Sequence, residues 1–324
     1  MGQDRFETLR AILYEPPSEQ GWQRLSRLFE GWPEDQDAAL GVAYAQEVIG
    51  DWPARLRTAP LGLGFELVLY QRGDDGHQWR FGAVRRPPHP AWALVRVLDL
   101  RPLVGGLTSD DAAALGAWPW LASIHTLEAG RALAGAWGVN SDRSAEALVS
   151  SPHLDHLEIL RLPHNRLGPR AAEAVARRNR FVRLRRLDLS HNPLGDLGTT
   201  YLSLTRTLGY LQALGLTAVG MRAPGARALS RAHGLRAVQT LSLSKNPIGD
   251  DGLSWLLGSP LFENLQRLDL RQTGLTQAGA LMLADDARLS SLLQLDLSTA
   301  GLTRAARLAV DESPHIGDAI RWHP

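Results

Sequence analysis

The apolar positions of this chain fall into columns. From about residue 154 to 316 a Leu-x-x-Leu-x-Leu stretch recurs, and its middle leucine stands at Leu160, Leu187, Leu214, Leu241, Leu268 and Leu295, each 27 residues after the last. Three residues earlier come Leu157, Leu184, Leu211, Val238, Leu265 and Leu292, and two residues later Leu162, Leu189, Leu216, Leu243, Leu270 and Leu297. Apolar and polar positions alternate around the middle leucine, which predicts a short strand. Seven positions on, the column Leu167, Leu194, Met221, Ile248, Leu275 and Leu302 is again apolar.

Eleven positions on lie only small residues, Ala171, Gly198, Gly225, Gly252, Gly279 and Ala306, and fifteen on lie Val175, Leu202, Leu229, Leu256, Leu283 and Val310. These two columns are four apart, the spacing of one helix face, so each unit is predicted to run from strand to helix. The small residue is expected to let the helix backbone approach the strand layer. Phe181, Leu208, Leu235, Phe262, Leu289 and Ile316 close the units. A single unit has nothing beneath its apolar side chains, so units must stack, with strands forming a parallel sheet on the inside of an arc and helices lying outside.

Five positions after the middle leucine stand Asn165, Asn192, Val219, Asn246, Thr273 and Ala300. The chain turns inward there, and an Asn amide satisfies backbone groups that water cannot reach. Asn165, Asn192 and Asn246 are therefore expected to form a structural ladder, and the Val219 and Ala300 rungs must close the turn another way.

These columns resemble the leucine-rich-repeat family, Leu-x-x-Leu-x-Leu-x-x-Asn-x-Leu, and the helical outer segment with its 27-residue spacing is similar to the ribonuclease-inhibitor-like class. The resemblance covers about half of the chain. It implies an α/β solenoid with a parallel sheet on the concave side and helices on the convex side. Two irregular rungs precede the regular ones, at Val95, Leu98 and Leu100 and at Ile124 and Leu127, and Ile316, Ala319 and Trp322 fall in register as a truncated ninth rung. The expected organisation is a mixed α+β N-terminal cap over 1–92 and a repeat domain over 93–324. The latter divides into irregular rungs 93–153, regular repeats 154–315 and a C-terminal cap 316–324.

The N-terminal block is built differently. Phe6, Leu9, Ile12 and Leu13, then Trp22, Leu25, Leu28 and Phe29, have helical spacing, so residues 3–58 read as short helices. Phe65 to Tyr70 and Gln78 to Val84 look like strands joined by a turn at Gly73-Asp74-Asp75-Gly76, and Pro87-Pro88-His89-Pro90 separates them from the first rung. Leu9 to Leu13, Glu15-Pro16-Pro17 and Leu28-Phe29-Glu30 resemble the small domain that accompanies repeats in many bacterial leucine-rich-repeat proteins, but its signature tyrosine and Asp-Trp-Leu are absent. The simplest role for this block is to cover the first apolar layer.

Composition narrows the chemistry. With 324 residues, 44% of them hydrophobic, and a formal net charge of +1, there is no global pull toward nucleic acid or an anionic membrane. The absence of cysteine excludes disulfides and thiolate sites, and no run reaches the length of a membrane span, so a cytoplasmic protein is expected. Lys245 is the sole lysine against 34 arginines, which fits a GC-rich bacterial genome. No phosphate loop, His-Glu-x-x-His helix, nucleophile elbow or calcium loop is present. We expect no enzyme activity, cofactor or metal. His164 and His191 occupy equivalent places on adjacent rungs, but a zinc site needs further ligands.

Two strand positions per rung should face solvent on the concave side. One column reads Arg161, Asp188, Gly215, Ser242, Asp269 and Asp296, the other Ile159, Arg186, Ala213, Thr240, Arg267 and Gln294, with Arg271 just beyond. They form either a solvated sheet carrying local Arg and Asp pairs or a docking face. Arg161, Arg186, Asp188, Arg267, Asp269, Arg271 and Asp296 are the candidate partner-binding residues. A second candidate is an arginine-rich stretch from Arg166 to Arg186, in which Arg177, Arg178 and Arg180 either serve the helix end or form a patch for an anionic partner. The resemblance implies a scaffold, adaptor or inhibitor that binds a folded protein partner, not nucleic acid or a small-molecule substrate. The alternative is a regulator of a small GTPase, similar to the leucine-rich-repeat activators of Ran-type switches.

Overall fold

A three-residue strand forms around almost every middle leucine, because its two neighbours are free to face water while the leucine enters the core. The computed structural model describes residues 2–32, 36–58, 71–72, 79–80, 90–101, 106–133, 141–178, 180–299 and 301–324. Strands β1 (Gln71–Arg72) and β2 (Trp79–Arg80) form an antiparallel pair; the expected strand Phe65 to Tyr70, the turn Gly73–Gly76 and the remainder of Gln78 to Val84 lie outside the described residues. Nine strands then stack in chain order into one open parallel sheet: β3 (Val97–Asp99), β4 (Thr126–Glu128), β5 (Ile159–Arg161), β6 (Arg186–Asp188), β7 (Ala213–Gly215), β8 (Thr240–Ser242), β9 (Arg267–Asp269), β10 (Gln294–Ser298) and β11 (Ile320–His323). Leu98 and Leu127, from the irregular rungs, pair in register with Leu160 and so with the regular column.

Helices α4 (Ser109–Gly116), α5 (Ser141–Val149), α6 (Pro169–Arg177), α7 (Gly195–Ser203), α8 (Ala223–Leu229), α9 (Gly249–Leu257), α10 (Gln277–Asp285) and α11 (Arg304–Asp311) line the convex side, each packed on the next. The apolar columns are buried along the whole array, apart from half-buried Leu275 and Leu302. The small column behaves differently from expectation. A Cβ added at Gly225 would fall 2.6 Å from a carboxylate oxygen of Asp196, and one at Gly252 would fall 3.2 Å from the Ala226 Cβ. The close approach is thus between successive helices, not between helix and strand.

The Asn column ties each rung to the one before it. Asn192 Oδ1 accepts from the N–H groups of Asn165 (2.8 Å) and Leu167 (3.1 Å), while its Nδ2 donates to the carbonyls of Leu162 and Leu189. Asn246 does the same for Val219 and Met221, and Asn165 for Leu133 and Ala129. Where the following rung has no asparagine, the backbone closes the turn. Leu194 N–H turns back to the Asn192 carbonyl (2.7 Å), and Gly195, at φ +62, donates to the Val219 carbonyl (2.9 Å). Ile248 and Gly249 repeat this arrangement against Asn246 and Thr273. Ala300 lies outside the described residues.

The rungs therefore alternate between two kinds. Asn192-Pro-Leu-Gly-Asp and Asn246-Pro-Ile-Gly-Asp mark one kind. Their aspartates, with Asp142 one pair of rungs earlier, cap the helix of the next rung. Asp142 accepts from Gly168 N–H (2.6 Å), Asp196 from Arg222 and Gly225 N–H (2.7 and 3.0 Å), and Asp250 from Thr276 N–H (2.9 Å). A carboxylate at a helix N-terminus satisfies orphan donors and meets the positive end of the dipole.

Both ends of the array depart from the 27-residue period. Helices α1 (Gly2–Leu13), α2 (Glu19–Glu30) and α3 (Gln36–Val48) share one hydrophobic core with the first rung, through Leu9, Leu25, Phe29, Trp32, Trp92 and Val95. The Arg57 carbonyl accepts from Arg96 and Val97 N–H (2.8 and 3.1 Å), the same paired acceptance made by Arg96, His125 and Glu158 in later rungs, and Thr58 bridges Val97. Burial, with Arg96 beside it, lowers the Arg57 guanidinium to about 10. At the far end Ile320, not Trp322, pairs with Leu295, while Trp322 pairs with Leu297. The last unit is two residues shorter than the regular ones, and an even shift keeps every side chain on its face. Trp322 Nε1 is tied to Asp311 at the end of α11 (2.7 Å).

Candidate functional site

Side chains alternate along a strand, so each three-residue strand sends its first and third side chains to the concave face. On that face nearly every acid has its own basic partner. Arg101 grips Asp99 with two bonds (2.9 and 2.7 Å), Arg271 grips Asp269 with two (2.9 and 2.8 Å), Arg161 pairs with Glu128 on the neighbouring strand, and His323 meets Asp296 at 2.8 Å. Burial alone would raise the Asp269 carboxyl, but the Arg271 hydrogen bonds outweigh it and hold the group below the usual carboxylate range. Asp99 is likewise held low, chiefly by Arg101.

Several candidate residues are less open than the column reading suggests. Asp296 is only 8% exposed, covered by His323 and by Gln294, whose Nε2 donates to it at 2.6 Å. The two-residue shift of β11 is what brings His323 over it. Asp269 is occupied by Arg271, so neither aspartate is a free docking group. Asp188 accepts Ser190 N–H (3.0 Å) and leans over Gly215, where an added Cβ would lie 2.6 Å from its oxygen. Arg186 and Arg267 are different. Both are exposed, and neither makes an ion pair among the described residues.

Between those two arginines the face is lined by Ala213, Gly215, Thr240 and Ser242, with Thr217 and Ser244 bonded to each other at the edge (3.1 Å). Short side chains make this the lowest part of the face. Beside it the residue before each Asn position is in the left-handed region, at φ 58 for His164, 59 for His191 and 58 for Lys245. Equal backbone geometry on adjacent rungs stacks the two imidazoles with centroids 4.1 Å apart and planes within 8°. Burial, then the nearby His164 and Lys245, push His191 below its ordinary value against the pull of Asp188.

The arginine stretch does not form a single patch. Arg177 is exposed and pairs with Glu173 at 2.8 Å, and Arg180 meets Asp155 at 2.5 Å. Arg178 is drawn inward, donating to the carbonyls of Ser150 and Ser151 in the preceding rung and lying 3.5 Å from Asp155. Helix α6 ends one residue before Arg178, whose own backbone is extended (φ −66, ψ 100).

Asp99, Arg101, Glu128 and His323 belong to the concave face but were missing from the candidate residues; carrying the two columns into the irregular rungs identifies the first and third. A separate cleft of about 320 Å³ lies between α2 and residues 54–58, lined by Trp22, Ser26, Arg27 and Arg55 among others. Among the described residues no three His, Asp or Glu side chains are grouped to hold a metal ion, and no helix is long and apolar enough to cross a membrane.

The family model described as leucine-rich repeat matches residues 184–203 and 236–256, the two rungs that carry Asn-Pro-Leu-Gly-Asp and Asn-Pro-Ile-Gly-Asp. No curated protein matches the chain. Repeats of this kind suggest protein–protein interaction in general. Two rungs thus match the leucine-rich-repeat family model, and nine parallel strands alternating with helices in an open array fit a leucine-rich-repeat protein.

Proposed function

We propose that this protein is a non-catalytic scaffold, an adaptor or inhibitor, that holds a folded protein partner on the concave sheet face, with residues 1–92 capping the first apolar layer. The observation that carries this reading is the ordered charge on that face: Arg101, Arg161 and Arg271 are fixed by Asp99, Glu128 and Asp269. Side chains already held in place lose little conformational freedom when a partner arrives.

The test is affinity capture from the native host with the wild-type chain and with Ser242→Trp, which fills the low part of the face. The reading expects a partner retained by the wild type and lost by the variant, with the same melting temperature for both. Equal capture by the two proteins overturns it. GTP hydrolysis measured on any GTPase so captured separates a binder, which leaves the rate unchanged, from a regulator.

A further inference from the structure

Arg186 and Arg267 are the two ends of a row. Register places Arg186 beside Ala213, Ala213 beside Thr240, and Thr240 beside Arg267, so the arginines stand three strands apart on one face. Strand spacing makes that roughly 14 Å. Both are exposed without an ion pair among the described residues, although the acids on this face are otherwise matched to basic side chains or, for Asp188, turned toward Gly215 and the Ser190 N–H. Arg321, also exposed, lies two strands beyond Arg267 at the end of the sheet. The row is therefore a pair of unspent positive charges separated by small and hydroxylic side chains.

Resting on the reading that the concave face binds the partner, we propose that this row takes an extended acidic segment of the partner, with two carboxylates four residues apart. An extended chain rises about 3.3 Å per residue and returns to the same face every second residue, so positions i and i+4 sit about 13 Å apart. That matches the arginine spacing. A helix fits less well: i and i+7 span about 10 Å, and i and i+11 about 16 Å. The floor argues the same way. Thr240 and Ser242 present hydroxyls that both donate and accept, which suits a backbone whose N–H and C=O groups are unpaired, whereas a helix has spent its own internally. Arginine also meets carboxylate bidentately, so two such contacts fix the register of the segment as well as its affinity.

A twelve-residue peptide-display library panned on the intact chain, with each recovered sequence then tested on Ser242→Trp, tests this. The proposal expects recovered sequences enriched in Asp or Glu pairs at i and i+4 and lost on Ser242→Trp. A labelled peptide with that pair should then bind about 10-fold more weakly to Arg186→Ala or Arg267→Ala, and at least about 10-fold more weakly when the acids are moved to i and i+2. Asp188→Asn should tighten it about 2-fold by removing the neighbouring negative charge. Recovered sequences that need the Ser242 surface but carry no acid pair overturn the acidic segment and leave the concave face standing as the docking surface. Sequences that bind wild type and Ser242→Trp alike overturn both. Recovery of no binding sequence overturns the extended segment, and the capture experiment then decides the face on its own.

Discussion

The imidazoles of His164 and His191 lie parallel, 4.1 Å apart, because one left-handed turn is repeated on adjacent rungs. A charge on the His164 ring disfavours a proton on His191. His191 is held below its ordinary value by burial first, then by His164 and Lys245, and His125 is lowered by burial and Arg96.

A depressed histidine pKa means that the unfolded chain binds the proton first as pH falls. Its contribution to stability is therefore complete above about pH 6.5 and is lost as pH drops from there through the lowered value. Thermal melts at pH 7.5 and 5.5 should show a smaller acid-induced drop for His191→Gln than for the wild type. Equal drops would remove His191 from the cause.

Asn192→Ala should be among the costliest single changes in the array. It strips partners from the buried N–H groups of Asn165 and Leu167 and from the carbonyls of Leu162 and Leu189 at once. Unsatisfied buried groups cost about 1–3 kcal/mol each, so a loss on the order of 3 kcal/mol or more is expected in urea unfolding. Asn192→Asp, which keeps the acceptor but sets a charge beside those carbonyls, should not rescue it.

Gly279→Ala should destabilise by about 1–2 kcal/mol, because the new methyl meets the Asp250 carboxylate that caps Thr276. Gly258→Ala is the control. Its added Cβ would find nothing nearer than the Trp255 carbonyl at 3.8 Å, and the unfolding midpoint should stay close to wild type.

Arg178→Ser and Arg177→Ser should part company. Arg178 holds two backbone carbonyls of the preceding rung, so its loss should lower stability by about 1–2 kcal/mol. Arg177, with a side chain 78% exposed, should be replaceable without a measurable change in melting temperature. A wild-type melting curve for Arg178→Ser would show that the inward turn of its side chain contributes nothing.

The strand and helix of each rung were legible because burial acts on side-chain period, and the period survives in Leu160, Val175 and their counterparts without a break. The contacts between rungs were not. Gly225 reads as a small helix residue, and it is the stacking of successive rungs that brings Asp196 against it. The two kinds of rung were visible in principle, since Asn192-Pro-Leu-Gly-Asp returns as Asn246-Pro-Ile-Gly-Asp, yet following each column singly hides a pattern that skips alternate rungs. Arg178 could not be assigned from its neighbours in sequence, because its partners Ser150 and Ser151 lie a full rung away. The concave columns fall at the first and third positions of each strand, but which of their charges are matched depends on pairings such as Asp296 with His323, set by a two-residue shortening at the end.

The alternation of rungs sets the step by which this array can change length. Asn192 serves the rung before it, and Asp196 the helix after it, so each rung of one kind carries the polar ties of both its neighbours. Cutting out 27 residues would set two rungs of the poorer kind side by side, with Leu167 losing its amide partner and the helix at Arg222 its carboxylate. Cutting or copying the 54 residues from Asn192 to Lys245 leaves those ties as they were, because Asn246 then stands where Asn192 stood. Shortened and lengthened variants should therefore sort by parity, those changed by pairs of rungs folding and those changed by one losing stability.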